Sequence, residues 1–380
     1  MLVVDSDKKM SFASRVVSLS AVVFLGLGAA LFPAAAGSSI VIDVGSGKVL
    51  SHDNAFQRWY PASLTKLMTA YVAFRAVKAG EMQFNSPVRV SANAAKEPPS
   101  KMGYPAGSVL TLDNALKIIM VKSANDIATS IAESVGGSER AFAGRMNAAA
   151  EQLGMTGSRF VNAHGLYSTD QYTTARDLAV LVRALRTEFP QHAHYFSLEA
   201  IQAGDKVMPN YNWLIGRFAG ADGMKTGYIC ASGFNLASTA TRNGRTLAAI
   251  VLGATSQVTR GEEAARLLAK GFQAQALAAP TIESLASYGE TRNVVVDLRP
   301  EVCSQEAVKA RIEERDDEGR LIVRSPYITA LEHEPRPVVV GLGGATGPES
   351  TAPRYANVPI PTPRPDYPLA IAVPATAQGG

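Results

Sequence analysis

Two residues one helical turn apart carry the first chemical signal of the sequence. Ser63 and Lys66 stand three positions apart in an apolar stretch that follows Pro61, so on a helix both side chains lie on one face. The residues that flank them predict a helix buried on most sides: Leu64, Leu67, Met68, Tyr71 and Phe74. Burial disfavours a charged lysine and lowers its pKa towards the range of a general base. Ser63 is then a candidate nucleophile that needs no histidine.

Two further short strings hold hydroxyl, amide and ammonium groups. Ser123-Ala124-Asn125 lies between two predicted helices, and Lys225-Thr226-Gly227 lies in a predicted strand. Each string alone has an ordinary structural explanation, since serines suit helix caps and lysines suit snorkelling or strand-surface positions. Their occurrence together and in this order is far more specific, because it is the motif set of penicillin-binding proteins and class A β-lactamases.

The elements that must position these strings follow from hydrophobic periodicity and turn residues. Residues 38–44 and 48–50 form a predicted hairpin, and the middle of the chain is almost entirely helical. Predicted helices cover 112–120, 127–135, 140–153, 175–186 and 262–276, and predicted strands cover 223–229, 233–240 and 246–253. This order predicts an α/β (α+β) fold in which an antiparallel sheet is flanked by helices and joined to a helical subdomain.

The chain divides into four predicted regions. In residues 1–36, basic residues precede an apolar run over 16–32 and an Ala-x-Ala end, which predicts a secretory signal cleaved after Ala36. An uncleaved N-terminal anchor is the alternative, because the run is nearly long enough to span a bilayer. Residues 37–279 carry the three strings, and 280–345 form an extension with little independent core. Residues 346–380 are rich in proline and are predicted to be a disordered tail.

Composition bears on two further questions, the kind of binding partner and the state of the cysteines. The 380 residues are 47% hydrophobic and 18% charged with a formal net charge of +4, which gives no reason to expect a nucleic-acid partner. The chain has two cysteines, Cys230 and Cys303. In an exported protein such a pair favours a disulfide, and at this point both the bridged and the free state are open.

The amino-acid sequence around the three strings resembles that of the penicillin-recognising serine enzymes, and most closely that of the D-alanyl-D-alanine carboxypeptidases of low molecular mass. The resemblance spans residues 38–276 and is strongest at 60–69, 123–128 and 222–228. It implies a β-lactamase/DD-peptidase-like fold and an exported, periplasmic or cell-envelope hydrolase. Such an enzyme removes the terminal D-alanine from peptidoglycan stem pentapeptides through an acyl-enzyme and is inhibited by β-lactams.

The resemblance also assigns roles to individual residues. The two expected donors of the oxyanion hole are backbone N–H groups, and a glycine beside them lets the backbone approach closely. The assignments are Ser63 as nucleophile, Lys66 as general base, Ser123 as proton relay, Asn125 as the group that orients Lys66 and the substrate amide, Lys225 and Thr226 as ligands of the terminal carboxylate, and Ser63, Gly227 and Tyr228 at the oxyanion hole.

Several alternatives accompany this interpretation. Cross-linked peptidoglycan is a second candidate substrate, which would make the enzyme an endopeptidase with the same residues. A catalytically weak wall-binding or penicillin-sensing protein is a candidate from a different class. A β-lactamase is disfavoured, because no glutamate from Glu133 to Glu199 begins the Glu-x-x-Leu-Asn pattern of the class A enzymes.

We expect no cofactor and no metal. His192 and His194 form a pair without a third ligand in the sequence, and His164 fits the family wording as a structural residue. The expected partners are peptidoglycan stem peptides and β-lactams as covalent inhibitors, with membrane contact only if the N-terminal signal stays uncleaved.

Overall fold

The computed structural model describes residues 37–275 and 278–352. In chain order the strands are β1 Ser38–Asp43, β2 Val49–Asp53, β3 Pro87–Arg89, β4 Val109–Thr111, β5 Ala200–Ala203, β6 Lys206–Pro209, β7 Ala221–Ile229, β8 Gly233–Arg242, β9 Arg245–Ala254 and β10 Pro337–Val339. The helices are α1 Thr65–Lys78, α2 Ala92–Ala95, α3 Leu112–Val121, α4 Asn125–Gly136, α5 Glu139–Gln152, α6 Ala175–Glu188, α7 Gln257–Gln273, α8 Arg299–Val302 and α9 Gln305–Glu313.

A five-stranded antiparallel sheet in the order β2-β1-β9-β8-β7 forms the frame of the fold. The β8–β9 connection is tight because Asn243 and Gly244 both take positive φ, 50° and 77°, as a two-residue hairpin turn with the twist of the strands requires. Helix α7 packs on one face of the sheet, and α6 packs on the other face together with the helical part. The predicted fold class is therefore confirmed.

The helical part surrounds α1. This helix is buried on nearly all sides, as its apolar sequence predicts, and α3, α4, α5 and α6 lie around it. Side-chain caps fix where its neighbours begin: Thr174 Oγ1 accepts from Asp177 N at 3.0 Å at the start of α6. Helix α7 starts earlier than the predicted residue 262, because Ser256 Oγ caps it by accepting from Thr259 N at 3.0 Å.

Residues 280–345 pack on the rest of the molecule. Ile282, Leu298, Val302 and Val340 are buried in the same apolar cluster as the side chains of α1. Strand β10 pairs in parallel with β5 in a small sheet with β6. The sequence analysis did not find these three strands or α8 and α9, because they are short and mostly exposed and lack strong periodicity.

The predicted disordered tail needs a correction at its start. The N–H groups of Thr346 and Gly347 donate to the carbonyl of Asn85 at 3.1 and 3.0 Å, and Glu349 pairs with Arg89 at 2.8 Å. Residues 346–352 therefore lie on the folded molecule, whereas 353–380 and the predicted signal at 1–36 fall outside the described residues. Within the described ranges no helix combines the length and hydropathy needed to cross a membrane.

Candidate active site

Ser63 lies in a single 3₁₀ turn, Ala62–Leu64, that leads directly into α1. Ala62 takes a positive φ of 46°, which is costly for a residue with a Cβ and is typical of functional sites. The turn is held from outside by Gly165, whose φ is 92° and at which a Cβ would overlap the Ala62 carbonyl. The position of Ser63 is thus fixed by packing on both sides of the turn.

Lys66 is fully buried and its Nζ has three oxygen neighbours. These are Ser63 Oγ at 3.1 Å, Asn125 Oδ1 at 2.8 Å and the His164 carbonyl at 2.6 Å. The two carbonyl-type oxygens can only accept hydrogen bonds. A neutral amine would donate its two hydrogens to them, which leaves its lone pair directed at the Ser63 hydroxyl. The geometry is that of a base beside a nucleophile.

The surroundings of Lys66 favour this neutral form. Burial lowers its pKa well below the usual value, and the positive charge of Lys225 lowers it further, while Glu97 and Asp126 oppose the shift. Desolvation is the largest of these causes, because it removes the hydration that stabilises an ammonium ion.

Ser123 and Lys225 form a second hydroxyl–amine pair. Lys225 Nζ donates to Ser123 Oγ at 3.0 Å and to the Thr226 carbonyl at 3.0 Å. Burial and the charge of Arg260 lower the pKa of Lys225 to about 7. Ser123 precedes α4 with a positive φ of 62°. Its backbone is therefore held in a sparsely populated conformation, and this sets the direction of its side chain.

Asn125 joins Lys66 to the loop at Pro98 and Ser100. Its Oδ1 accepts from Lys66, and its Nδ2 donates to the Pro98 carbonyl at 3.0 Å. The backbone N–H of Asn125 donates to the Ser100 carbonyl at 2.7 Å. The Oδ1 bond agrees with the predicted orientation of Lys66, and one of the two Nδ2 hydrogens is bonded to the Pro98 carbonyl.

Strand β7 closes the site beside the nucleophile. A Cβ on Gly227 would lie 3.0 Å from the Ser63 nitrogen and 3.0 Å from the Pro61 carbonyl, so only glycine lets the strand come this close. Tyr228 follows in the same strand, and its ring stacks on Phe234 with centroids 4.2 Å apart.

A cavity of about 340 Å³ opens over these groups. It is lined by Ser63, Pro99, Ser100, Ser123, Asn125, Gly165, Leu166, Tyr211, Thr226, Gly227, Tyr228, Ile229, Phe234, Gln257 and Arg260. All eight residues to which the resemblance assigns roles thus lie at one place, six of them in the lining. Lys66 and Lys225 do not line the cavity themselves. Each is hydrogen-bonded to a lining residue, Lys66 to Ser63 and Lys225 to Ser123.

Arg260, on α7, is a lining residue that the sequence analysis missed. Its side chain is buried, burial lowers its pKa to about 10, and its Nε has no hydrogen-bond partner. A guanidinium with a free donor at a cavity suits a carboxylate. No motif marks Arg260 in the sequence.

The two cysteines are joined beside this site. Cys230 and Cys303 form a disulfide with their Cα atoms 5.7 Å apart, and the Tyr228 hydroxyl lies 3.3 Å from Cys303 Sγ. Cys230 directly follows β7, so the bridge connects the end of the active-site strand to the segment after residue 280.

The histidines fall in two places. His192 and His194 lie in a 3₁₀ helix, Pro190–Phe196, where His192 packs against Phe74 and Phe84 with centroids 4.7 and 4.8 Å apart. His164 Nε2 lies 3.4 Å from a carboxylate oxygen of both Glu97 and Glu139. These three are the group of potential metal ligands among the described residues.

Comparison with known sequences decides the family. The sequence profile of the D-alanyl-D-alanine carboxypeptidase family matches residues 29–256, more than half of the chain. The chain belongs to this family.

Individual relatives agree with the family profile. D-alanyl-D-alanine carboxypeptidase DacC of Escherichia coli is 35% identical over 241 residues, which cover 62% of this chain and 60% of that protein. Penicillin-binding protein 6B of Escherichia coli is 36% identical and superimposes with a TM-score of 0.60 over 63% of this chain and 77% of that one.

A second solved structure extends the comparison. Penicillin-binding protein D2 of Listeria monocytogenes, in a cefotaxime-bound form, is 27% identical with a TM-score of 0.57 over 62% of this chain and 97% of that one. The chain spans about three fifths of the length of the curated carboxypeptidases it matches, 60% and 63% for two of them.

Proposed function

We propose that the chain is a serine-type D-alanyl-D-alanine carboxypeptidase that removes the terminal D-alanine from peptidoglycan stem pentapeptides. The observation that carries this proposal is the buried Lys66 amine, held 3.1 Å from Ser63 Oγ by two carbonyl-type acceptors. Family membership supports the same reaction, since the matching profile is that of D-alanyl-D-alanine carboxypeptidases.

Acylation begins at Ser63. Neutral Lys66 accepts the hydroxyl proton while Ser63 Oγ attacks the carbonyl carbon of the penultimate D-alanine. The resulting oxyanion accepts hydrogen bonds from the backbone N–H groups of Ser63 and Tyr228. The close packing of Gly227 on the Ser63 nitrogen supports this assignment, because it brings the two stretches of backbone together.

The terminal carboxylate of the substrate binds at Arg260 and Thr226, which both line the cavity. Arg260 supplies positive charge and an Nε donor without a protein partner, and Thr226 supplies a hydroxyl. Lys225 was expected to bind the carboxylate itself. Its Nζ is bonded to Ser123 Oγ and the Thr226 carbonyl, and the third hydrogen of the protonated amine and its positive charge serve the carboxylate.

Ser123 completes the first half-reaction. Its hydroxyl accepts a hydrogen bond from Lys225 and passes a proton to the nitrogen of the leaving D-alanine, so the peptide bond breaks and free D-alanine departs. The proton that Lys66 took from Ser63 restores the Ser123 hydroxyl, which leaves Lys66 neutral. Water then attacks the acyl-enzyme, Lys66 accepts a proton from the water, and Ser63 Oγ takes that proton back as the shortened peptide leaves. The two half-reactions predict ping-pong kinetics.

β-Lactams acylate Ser63 and leave slowly. The cefotaxime-bound form of penicillin-binding protein D2 supports binding of this drug class. Among the described residues, none that lines the cavity carries a carboxylate, and such a group activates the deacylating water in class A β-lactamases. The protein is thus a target of β-lactams and hydrolyses them poorly.

The enzyme works outside the cytoplasmic membrane. The basic start, apolar run and Ala-x-Ala end of residues 1–36 direct export to the periplasm or cell envelope, with cleavage after Ala36. Membrane contact through this segment occurs only if it stays uncleaved. No cofactor takes part.

The test of this function measures free D-alanine. The protein is incubated with peptides ending in L-Lys-D-Ala-D-Ala or in diaminopimelate-D-Ala-D-Ala, and Ser63→Ala is the matched control. We expect release by the wild type and a loss of at least about 10³-fold in the variant. A cross-linked dimer is assayed in parallel. Cleavage of the dimer with no release from either peptide would replace this function by the endopeptidase, and equal activity of Ser63→Ala would contradict it.

A further inference from the structure

The end of the active-site strand is attached to a segment beyond the family match. Residues 296–303, here named the clasp segment, follow residue 256, where the family profile ends. The disulfide joins Cys230 to Cys303 across 73 residues of sequence. The chain has no cysteine besides these two. A reductant therefore breaks this disulfide and no other.

Several contacts reinforce the attachment. The N–H of Leu298 donates to the Ala231 carbonyl at 3.0 Å, immediately after Cys230. Leu298 is buried, and its Cδ1 packs against Gly233, where it would lie 3.0 Å from an added Cβ. At the start of the clasp segment, the N–H of Val296 donates to the Arg58 carbonyl at 3.2 Å.

The clasp segment also reaches the wall of the cavity. Tyr228 is held between the Phe234 ring, 4.2 Å away, and Cys303 Sγ, 3.3 Å from its hydroxyl. The guanidinium of Arg311 lies over the Phe234 ring, 5.6 Å from the ring centroid. Arg311 also donates a hydrogen bond to the Val302 carbonyl at 2.6 Å. Tyr228 and Phe234 both line the cavity, so the clasp segment backs this side of the site.

We propose that Cys303 is a positioning residue for catalysis: through its bond to Cys230 it fixes the end of β7, and with it the Tyr228 backbone N–H, at the oxyanion hole. This inference rests on the proposed function. An oxyanion donor must stand within a few tenths of an ångström of its place, and displacements of about 1 Å cost up to about 10²-fold in rate. Substrate binding at Arg260 and Thr226 does not use this bond.

Opening the bond is a balanced two-electron step. Dithiothreitol transfers two electrons and two protons to the disulfide, which becomes two thiols, and is itself oxidised to its cyclic disulfide. The Leu298 hydrogen bond and the burial of Val302 remain, so the fold persists while the end of β7 gains freedom.

The experiment compares oxidised, reduced and reoxidised full-length protein. D-Alanine release gives kcat and KM, and penicillin adduct formation gives the acylation rate. We expect reduction, and the double variant Cys230→Ser/Cys303→Ser, to lower kcat and the acylation rate about 10-fold, with KM changed less than about 3-fold. Reoxidation of the wild type restores both rates.

A control separates positioning from loss of stability. Ile282→Ala removes a buried side chain of the same C-terminal region near the β1–β2 turn, where its N–H donates to the Gly47 carbonyl at 2.9 Å. We expect this variant to lower the thermal midpoint and to keep kcat at temperatures well below that midpoint. Circular dichroism verifies that every form is folded in the assay.

The outcomes distinguish this inference from the proposed function. Rates within 2-fold for oxidised and thiol-verified reduced protein would overturn the positioning role alone. A fall in kcat that Ile282→Ala reproduces at the same stability would also overturn it. Absence of both D-alanine release and a penicillin adduct in the oxidised protein would overturn the proposed function, and the inference with it.

Discussion

Lys66 shows how one side chain acquires a chemical role from its surroundings. Its Nζ would be a strong cation in water, but burial and the nearby charge of Lys225 both disfavour the proton. The Asn125 and His164 oxygens then orient the amine towards Ser63. Sequence spacing predicts the Ser63–Lys66 pair, whereas the two acceptors come from distant parts of the chain.

Replacement of Lys66 by arginine tests the need for a neutral base. Arginine keeps its proton at any working pH, so it has no lone pair for the Ser63 hydroxyl. We expect Lys66→Arg to lower kcat/KM for D-alanine release by about 10²–10⁴-fold, the usual contribution of a general base. Lys78→Arg, an exposed position of the same helix, is the control and should match the wild type. Activity of Lys66→Arg within 3-fold would contradict the role.

The pH dependence of kcat/KM tests the charge of Lys225. Its pKa lies at about 7 because burial and Arg260 disfavour the proton, and only the protonated form present below that pH supplies positive charge to the carboxylate site. We therefore expect kcat/KM to fall as pH rises through about 7. On the acid side it should fall as Lys66 gains a proton, below the lowered pKa of that group. In Lys225→Arg the alkaline fall should move upward by more than about one pH unit, and an unmoved alkaline limb would exclude Lys225 as its source.

Arg260 marks the limit of residue-level prediction. The serines, lysines and asparagine of the site carry a recognisable spacing, but Arg260 belongs to no string and sits in a helix whose predicted start, residue 262, excluded it. Only the packing of α7 on the sheet brings it to the cavity. A functional side chain supplied by an ordinary amphipathic helix cannot be found from spacing.

At the level of elements, some features follow from the sequence and others arise only from packing, and the turn before α1 is an example. Periodicity predicts α1, and the Asn243-Gly244 turn predicts the β8–β9 hairpin. The positive φ of Ala62 and the contact of Gly165 with that turn are not readable from the sequence, because they arise when two distant loops pack together.

Two glycine substitutions isolate the effect of that contact. Gly165 and Gly80 both take positive φ, 92° and 75°, but a Cβ at Gly80 meets nothing within 4 Å. Each change to alanine costs about 1–2 kcal/mol of backbone strain. Only Gly165→Ala also displaces the Ala62 carbonyl, so we expect it alone to lower kcat/KM, by about 10–10²-fold. Equal kcat/KM in the two variants would show that the turn tolerates displacement.

The described residues on the two sides of the predicted boundary at residue 280 share one apolar cluster. Residues before and after that boundary lie in the same buried cluster, so the C-terminal region belongs to the folding unit. Its short apolar runs are visible in the sequence, but their burial depends on a surface that the rest of the fold provides. Local pattern therefore could not predict where this region packs.

Core truncation measures that contribution. Leu298 is buried, whereas Leu342 is 49% exposed. We expect Leu298→Ala to lower the free energy of unfolding by about 2–5 kcal/mol and Leu342→Ala by less than about 0.5 kcal/mol. Urea denaturation followed by circular dichroism gives both values, provided the slope m is unchanged. Equal midpoints for the two variants would show that the C-terminal region is not part of the core.

The most direct test of the account is the site of the penicillin adduct. The protein is incubated with benzylpenicillin, digested and mapped by mass spectrometry, while D-alanine release is measured on the same samples. We predict a single penicilloyl group on Ser63, no adduct in Ser63→Ala, and loss of D-alanine release in proportion to the modified fraction. An adduct on another residue, or full D-alanine release from protein fully modified at Ser63, would contradict the account.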